Sequence, residues 1–215
     1  MAREKTRPDP GGGGPDGLSA PALQVHRAVL ATFVRTGQPP ALGELERLAR
    51  GCGADPGAVL AELADSDVLA FAADGEIRAA YPFSAVATPI KVSWAGGPDA
   101  YAMCTIDALG MSAMLGRPVT ITAAEPGTGC VITVRADGDQ ARWDPRTTVV
   151  FAGSAGDADR PSADCACSFI NFFATAGNAR AWARRNPEVT GRLLTQEDAL
   201  RSGVAQFGTL LRAAP

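Results

Sequence analysis

The hydrophobic period of this chain changes near Ser84, and this change restricts the folds open to it. Before Ser84, apolar residues recur at helical spacing in three segments bounded by Gly and Pro, and a short hairpin around Asp74-Gly75 follows them. The predicted helices cover residues 21–36, 41–50 and 56–66, and the predicted hairpin strands cover 68–71 and 77–81. Three helices followed by a hairpin are typical of a winged helix-turn-helix.

After Ser84 apolar residues alternate with a period of two, which predicts strands. The last helix is expected to begin at Thr195, where Thr195-Gln196-Glu197-Asp198 resembles a capping box. The predicted strands cover 86–94, 101–103, 119–123, 130–134, 147–151, 167–173 and 189–194, and the predicted helices cover 107–115, 178–185 and 195–211. The sequence therefore predicts an α+β fold, with an N-terminal winged-helix-like helical region packed on a mixed or antiparallel β-sheet core with flanking helices.

These patterns divide the chain into three parts. Residues 1–20 are rich in Gly, Pro and charge, which predicts a disordered tail. Residues 21–82 form the predicted winged-helix-like N-terminal domain, and residues 83–215 form the α+β domain that carries the candidate site.

Charge and hydropathy argue against several classes of protein. The net charge is -3 and charged residues make up 20% of the chain, so a basic nucleic-acid-binding face is not expected. No run of eighteen apolar residues exists, which predicts no membrane span, and the N-terminus lacks the apolar region of a secretory signal. We expect a cytoplasmic protein with neither a nucleic acid nor a membrane as its partner.

The number and spacing of the cysteines favour free or metal-binding thiols. An odd number of cysteines, without an export signal, argues against a disulfide framework. The five cysteines are Cys52, Cys104, Cys130, Cys165 and Cys167.

Cys104 and Asp107 are three residues apart, so they share one face if a helix begins near Cys104. The positive end of that helix is expected to stabilise the thiolate of Cys104, which is the form that attacks electrophiles and binds soft metals. Taken alone, the spacing is a weak signal, because a buried cysteine is most often a small apolar core residue and Asp107 could equally be a carboxylate in the first turn of a helix.

Cys165 and Cys167 form a C-x-C pair, and on a strand both would face the same side. Such a pair can present thiolates to a soft metal, but its spacing is not that of a structural zinc site. The one histidine, His26, lies in a predicted core helix, which disfavours structural zinc and a His-based catalytic triad.

Two segments together resemble the organomercurial (alkylmercury) lyases. Cys-Thr-Ile-Asp-Ala-Leu at 104–109, followed by Leu-Gly-Arg at 115–117, is similar to the W-C-x-x-D-x-L segment of that family, which runs into I-G-R. Cys-Ser-Phe-Ile-Asn-Phe-Phe at 167–173 is similar to its C-x-x-V-H-F-F segment. Both occur in the order and at the separation of the family, and the similarity covers about residues 22–212.

The resemblance implies that Cys104, Asp107 and Cys167 are catalytic and hold the product Hg(II), with Cys165 as a possible further thiolate or a packing residue. In the family, protonolysis cleaves R-Hg-X to R-H and Hg(II). The implied partners are an organomercurial substrate and the cellular thiols or mercuric reductase that accept Hg(II). The resemblance implies no redox cofactor and a role in mercury detoxification.

The chain departs from the family pattern at three positions. Met103 stands where the family usually has Trp, Asn171 replaces His, and Glu125 lies about where a further, non-catalytic cysteine falls. These departures concern the pocket wall and the stability of the fold, and they leave the three chemical residues in place.

The alternative hypothesis is a thiol-based metal-binding or metal-sensing winged-helix protein without lyase activity. The predicted recognition helix, residues 56–66, contains neither Lys nor Arg, so its contacts with DNA phosphates would be poor. A simple metal carrier would not need Asp107.

Overall fold

The computed structural model describes residues 17–156 and 162–211, so most of the predicted tail, residues 1–16, lies outside the described residues. The α-helices are α1 (Ala20–Thr36), α2 (Leu42–Gly51), α3 (Pro56–Asp65), α4 (Thr105–Leu115), α5 (Ser162–Cys165), α6 (Ala176–Arg185) and α7 (Gln196–Phe207), with a 3-10 helix at Cys167–Phe169. The strands are β1 (Leu69–Phe71), β2 (Ile77–Ala80), β3 (Phe83–Ser84), β4 (Ile90–Ser93), β5 (Ala100–Ala102), β6 (Val119–Ala124), β7 (Val131–Asp137), β8 (Gln140–Asp144), β9 (Val149–Ser154), β10 (Ile170–Phe173) and β11 (Thr190–Leu194). The predicted α+β class is confirmed.

The strands form two sheets. The larger has the order β1-β2-β3-β5-β4-β6-β7-β8, and the smaller has the order β10-β9-β11. Every described pair of neighbouring strands is antiparallel. Alternating burial along β6 and β7 puts one face of the larger sheet against the core, which is the burial pattern that the period of two predicts.

Short polar side chains begin the helices and glycines end two of them. The hydroxyl of Ser19 accepts the Ala22 amide at the start of α1, and Thr195 caps α7 as the sequence predicts. Gly37 and Gly116 end α1 and α4 in the left-handed conformation, where a side chain would be strained. None of the described helices combines the length and the apolar character needed to cross a membrane.

Helix α4 is the central element of the fold. Every residue from Thr105 to Met114 is buried, because α4 packs against α7, the larger sheet and β10. Its sequence is accordingly apolar on all sides rather than amphipathic. The approach to α7 is close enough to require glycine on both helices, at Gly110 and Gly203. The N-terminus of α4, which carries Cys104 and Asp107, is therefore fixed in the interior.

The N-terminal region contains the three helices and the hairpin that the sequence predicts. The hairpin strands are not separate from the rest of the fold, because β2 pairs with β3 and thereby joins the larger sheet. The winged-helix arrangement and the domain boundary at residues 82 and 83 stay predictions.

Several predicted elements are wrong in detail. Residues 167–173 were expected to form one strand, but Cys167 lies in the 3-10 helix and only Ile170–Phe173 pair with β9. Strand β8 and helix α5 were not predicted from the sequence, because β8 is mostly polar and α5 is a single turn. These elements are too short for a hydrophobic period to show in the sequence, and they form because of the packing around them.

Candidate active site

Cys104 is the N-cap of α4, and Asp107 lies in the first turn of the same helix. The extended backbone of Cys104 (φ -148, ψ 179) turns its side chain over the end of the helix, where Sγ accepts the backbone amide of Asp107 at 3.5 Å. The sequence placed both residues on one face if a helix begins near Cys104, and α4 begins at Thr105 with Cys104 as its N-cap, two residues before the predicted start.

The carboxyl group of Asp107 is fully buried and poorly solvated. Neither of its oxygens has a hydrogen-bond partner of normal geometry among the described residues, although the thiol and the backbone amide of Cys104 lie nearby. Burial raises the pKa of Asp107 to about 7, the nearby Cys104 lowers it in part, and the charge of Asp67 raises it further. A carboxyl group with such a pKa can both hold and release a proton near neutral pH.

The thiol of Cys104 is held in its protonated form. Burial raises the pKa of Cys104 well above its usual value, and its hydrogen-bonding contact with Cys167 and the charge of Asp107 act in the same direction. The sequence predicted that the helix N-terminus would stabilise the thiolate, and in the unliganded site burial outweighs such an effect. A helix dipole contributes roughly 0.3–1 kcal/mol, whereas full burial can shift a pKa by about 3–5 units, so burial dominates.

Cys167 reaches Cys104 from a different part of the chain. It begins the 3-10 helix that leads into β10, and only 2% of it is exposed. Cys165 ends α5 and is buried as well, and its carbonyl accepts the Ala155 amide at 2.9 Å. The two cysteines do not lie on a strand, so the strand geometry that would put both on one face does not apply. All five cysteines are free thiols.

Tyr81 and Asp67 belong to the surroundings of the site, although no sequence pattern pointed to them. Tyr81 is 1% exposed, and burial together with the charges of Cys167, Asp67 and Asp107 raises the pKa of its hydroxyl. The carboxylate of Asp67 accepts the Ser162 amide at 3.2 and 3.3 Å. Both residues come from the hairpin region, so only the tertiary fold brings them to α4.

The departures from the family pattern lie around the site in different ways. Met103 is half-buried and packs against the core beside Cys104. The amide of Asn171 donates to the Ser168 carbonyl at 2.9 Å, which fixes the turn after Cys167. Glu125 is buried at the end of β6, where it accepts hydrogen bonds from Thr128 at 2.7 Å and Asn178 at 3.1 Å.

Other ligand-type side chains lie outside this constellation. Cys130 is exposed, Cys52 is half-buried beside Gln24, and His26 is buried in α1. Within residues 17–156 and 162–211, no three His, Cys, Asp or Glu side chains converge as a group that could hold a metal ion. The close pair Cys104 and Cys167 offers two sulfurs, which are the donors that a soft metal prefers.

Cys104, Asp107 and Cys167 combine two thiols and a carboxyl group in a dry interior. The thiols can bind an electrophilic soft metal once they lose their protons. Asp107 can carry a proton between a thiol and a bound group, because burial brings its pKa to about 7. The arrangement is therefore suited to proton transfer onto a ligand of a thiolate-bound metal.

Sequence comparisons point to one family. The family model for alkylmercury lyases (MerB) matches residues 83–208. The chain is 29% identical to an alkylmercury lyase of Streptomyces lividans over 107 residues, which are 50% of this chain and 49% of that protein. It is 28% identical to an alkylmercury lyase of Staphylococcus epidermidis over 123 residues, which are 57% of this chain and 56% of that protein. These matches span about half the length of the curated relatives.

The fold also resembles that of a solved structure. The crystal structure of the mercury-bound form of MerB2 aligns with a TM-score of 0.74 and 24% sequence identity. The alignment covers 92% of this chain and 94% of that one, so the likeness of fold extends beyond the segment that the family model matches.

Proposed function

The chain belongs to the alkylmercury lyase family, and from this premise we propose that it is an organomercurial lyase that cleaves the carbon–mercury bond of R-Hg-X. The observation that carries the proposal is the buried thiol of Cys104, which is in contact with Asp107 of its own helix and with Cys167 from a distant segment. The products are the hydrocarbon R-H and Hg(II) bound to the two sulfurs.

The protonation of the unliganded site supports this chemistry. Burial favours the neutral thiol of Cys104 and raises the pKa of Asp107 to about 7. A site that keeps its thiol proton in the interior has a proton to deliver to carbon, and Asp107 is adjacent to the thiol that supplies it.

The proposed steps balance in atoms and electrons. One thiol loses its proton and its sulfur displaces X from mercury, so that HX leaves. The second thiol gives its proton to Asp107 as its sulfur binds the metal. Asp107 then transfers that proton to carbon while the carbon–mercury bond breaks, and the electron pair of that bond forms the new carbon–hydrogen bond. Mercury remains divalent throughout, and the two protons come from the two thiols.

Each residue of the site has its own role in the proposed reaction. Cys104 and Cys167 hold Hg(II), Asp107 delivers the proton and contributes a carboxylate ligand to the product, and Cys165 is a packing residue or an additional thiolate. No redox cofactor takes part, because mercury does not change its oxidation state. External thiols, or a mercuric reductase, remove Hg(II), and the enzyme acts in the cytoplasm as part of mercury detoxification.

A product assay tests the proposal. Purified protein is incubated with phenylmercury and an excess of a small thiol, and benzene is measured by gas chromatography. We expect catalytic benzene release that is abolished in Cys104→Ser and Cys167→Ser. Cys130→Ser is the matched control, because Cys130 is exposed and outside the site. Activity that survives Cys167→Ser but not Cys165→Ser would assign the second thiol to Cys165.

The alternative is a thiol-based metal-binding or metal-sensing protein without lyase activity. It would bind Hg(II) through the same cysteines and release no benzene from phenylmercury. The fully buried carboxyl group of Asp107 favours the lyase, because a carrier gains nothing from a proton donor held in the interior. Helix α3 contains neither Lys nor Arg, which argues against a DNA-binding regulator.

A further inference from the structure

The hydroxyl of Tyr81 is a buried polar group without a use in the reaction described above. Its oxygen is inaccessible to solvent and has no hydrogen-bond partner of normal geometry among the described residues. The nearby backbone amide of Ala163 lowers the pKa of the hydroxyl, but an amide can only donate, so the hydroxyl proton still has no acceptor. A buried hydroxyl without a partner is destabilising, so its presence in an apolar core needs a reason. The two carboxyl oxygens of Asp107 are also buried without a hydrogen-bond partner of normal geometry. The interior therefore contains one hydroxyl donor, on Tyr81, and two carboxyl acceptors, on Asp107, that do not use their hydrogen-bonding capacity.

The backbone holds Tyr81 beside the catalytic segment. Tyr81 follows β2, and the carbonyl of the next residue, Pro82, accepts the amide of Met103 at 3.2 Å. Phe83 then pairs with Ala102, so the segments that lead from Tyr81 and to Cys104 run side by side. The charges of Cys167, Asp67 and Asp107 raise the pKa of the phenol, which agrees with the position of Tyr81 beside the segment that leads to Cys104.

Three groups that can accept a hydrogen bond raise the pKa of the hydroxyl through their charge, and two of them have other partners during the proposed reaction. In the proposed mechanism the sulfur of Cys167 binds mercury. Both carboxylate oxygens of Asp67 accept the Ser162 amide. The carboxylate of Asp107 remains, and neither of its oxygens has a hydrogen-bond partner of normal geometry among the described residues, although Cys104 lies close to it.

We propose that the Tyr81 hydroxyl donates a hydrogen bond to the Asp107 carboxylate as it forms, which makes Tyr81 a positioning residue of this site. The inference rests on the proposed lyase function. When Asp107 gives its proton to carbon, a negative charge appears on a buried group. A hydrogen bond from Tyr81 stabilises that charge and fixes the carboxyl group in its orientation toward the carbon. The hydroxyl keeps its own proton throughout.

The kinetic test uses Tyr81→Phe, which keeps the ring and removes one oxygen. We expect kcat for benzene release from phenylmercury to fall roughly tenfold or more, because a hydrogen bond to a charged group is lost, with KM nearly unchanged. The solvent deuterium isotope effect on a single turnover should increase, because proton transfer becomes slower. Unchanged kcat and isotope effect in Tyr81→Phe would overturn the inference.

Thr148→Val is the matched control, because Thr148 also carries a buried hydroxyl without a hydrogen-bond partner and is not part of the site. Both variants remove an unsatisfied oxygen, so neither should lower Tm. Only Tyr81→Phe should change the isotope effect. An equal increase in both variants would contradict a specific role of Tyr81.

A spectroscopic test separates this inference from the lyase function. The chain has two tyrosines, so the ring Cζ carbons of 13C-labelled tyrosine give two signals that Tyr101→Phe assigns. In protein loaded with Hg(II) from mercuric chloride, the Tyr81 signal should lie downfield of its position in loaded Asp107→Ala. Equal positions would overturn the inference. A wild-type protein that shows the downfield signal but releases no benzene would refute only the lyase function.

Discussion

The backbone amide of Asp107 donates to the Sγ atom of Cys104 across 3.5 Å, so one helical turn joins the candidate nucleophile to the candidate proton carrier. The cap fixes the thiol over the end of α4, and the side chain of Asp107 points into the same dry interior. The distance between sulfur and carboxyl group is thus set by local helix geometry and not by a flexible loop.

Asp107→Asn separates proton transfer from metal binding. The amide keeps the shape of the side chain but cannot deliver a proton, so hydrocarbon release from phenylmercury should fall by roughly 10²–10⁴-fold. The affinity for Hg(II) should change much less, since Cys104 and Cys167 supply the sulfurs. Competition with a chromogenic chelator measures that affinity. Asp74→Asn, in the exposed hairpin turn, is the control and should keep both properties.

The stability of the protein should respond to pH through two buried groups with opposite effects. The folded pKa of Asp107 is about 7, above the reference value of 3.8, so its contribution is fully present below pH 3.8 and is lost as the pH rises through 7. The folded pKa of His26 is lowered to about 4 from 6.5 by burial and the charge of Arg27, so its contribution is present above pH 6.5 and is lost as the pH falls through 4.

Between about pH 4 and pH 6.5 the stability that Asp107 contributes falls as the pH rises, whereas the stability that His26 contributes increases. Each of these two changes amounts to about 1.4 kcal/mol per pH unit, so they nearly cancel in the wild-type protein. Urea unfolding across this range should show stability that rises with pH in Asp107→Asn and falls with pH in His26→Gln. Parallel pH profiles for the wild type and both variants would contradict the pKa shifts on which the prediction rests.

Gly110→Ala tests the close contact between α4 and α7. A Cβ atom at Gly110 would lie 2.4 Å from the Gly203 carbonyl oxygen and 2.7 Å from Cδ2 of Phe207, so the helices must move apart. Overpacking of this kind should cost about 1–3 kcal/mol in the free energy of unfolding, and the shift of α4 should lower turnover. Gly43→Ala has open space around it and should instead stabilise α2 by up to about 1 kcal/mol.

Glu125→Ala tests the buried hydrogen-bond acceptor at the end of β6. The carboxylate of Glu125 accepts hydrogen bonds from Thr128 and from Asn178, and so it ties the end of β6 to α6. Its loss leaves both donors without their shared acceptor. We expect a loss of about 1–3 kcal/mol of stability, measured by urea unfolding, with hydrocarbon release from phenylmercury kept. Glu188→Ala, at an exposed position, should change neither. A loss of turnover without a loss of stability would instead link Glu125 to the chemistry.

The sequence determined the elements whose signals are local. The caps at Thr195 and the stop at Gly37 depend on residues within one turn, and they occur where the sequence predicts them. The spacing of Cys104 and Asp107 needs only a helix start, and α4 supplies it. The alternation after Ser84 reveals the strands of the larger sheet, because that sheet buries one face.

Only the tertiary structure decided the chemical state of the site. The contact between Cys104 and Cys167 joins segments that are about sixty residues apart, and Tyr81 reaches the same interior from the hairpin region. The raised pKa values of Cys104 and Asp107 follow from burial, which depends on everything packed around α4. Spacing along the chain can bring two groups together, but it cannot specify the solvation that determines which of them holds the proton.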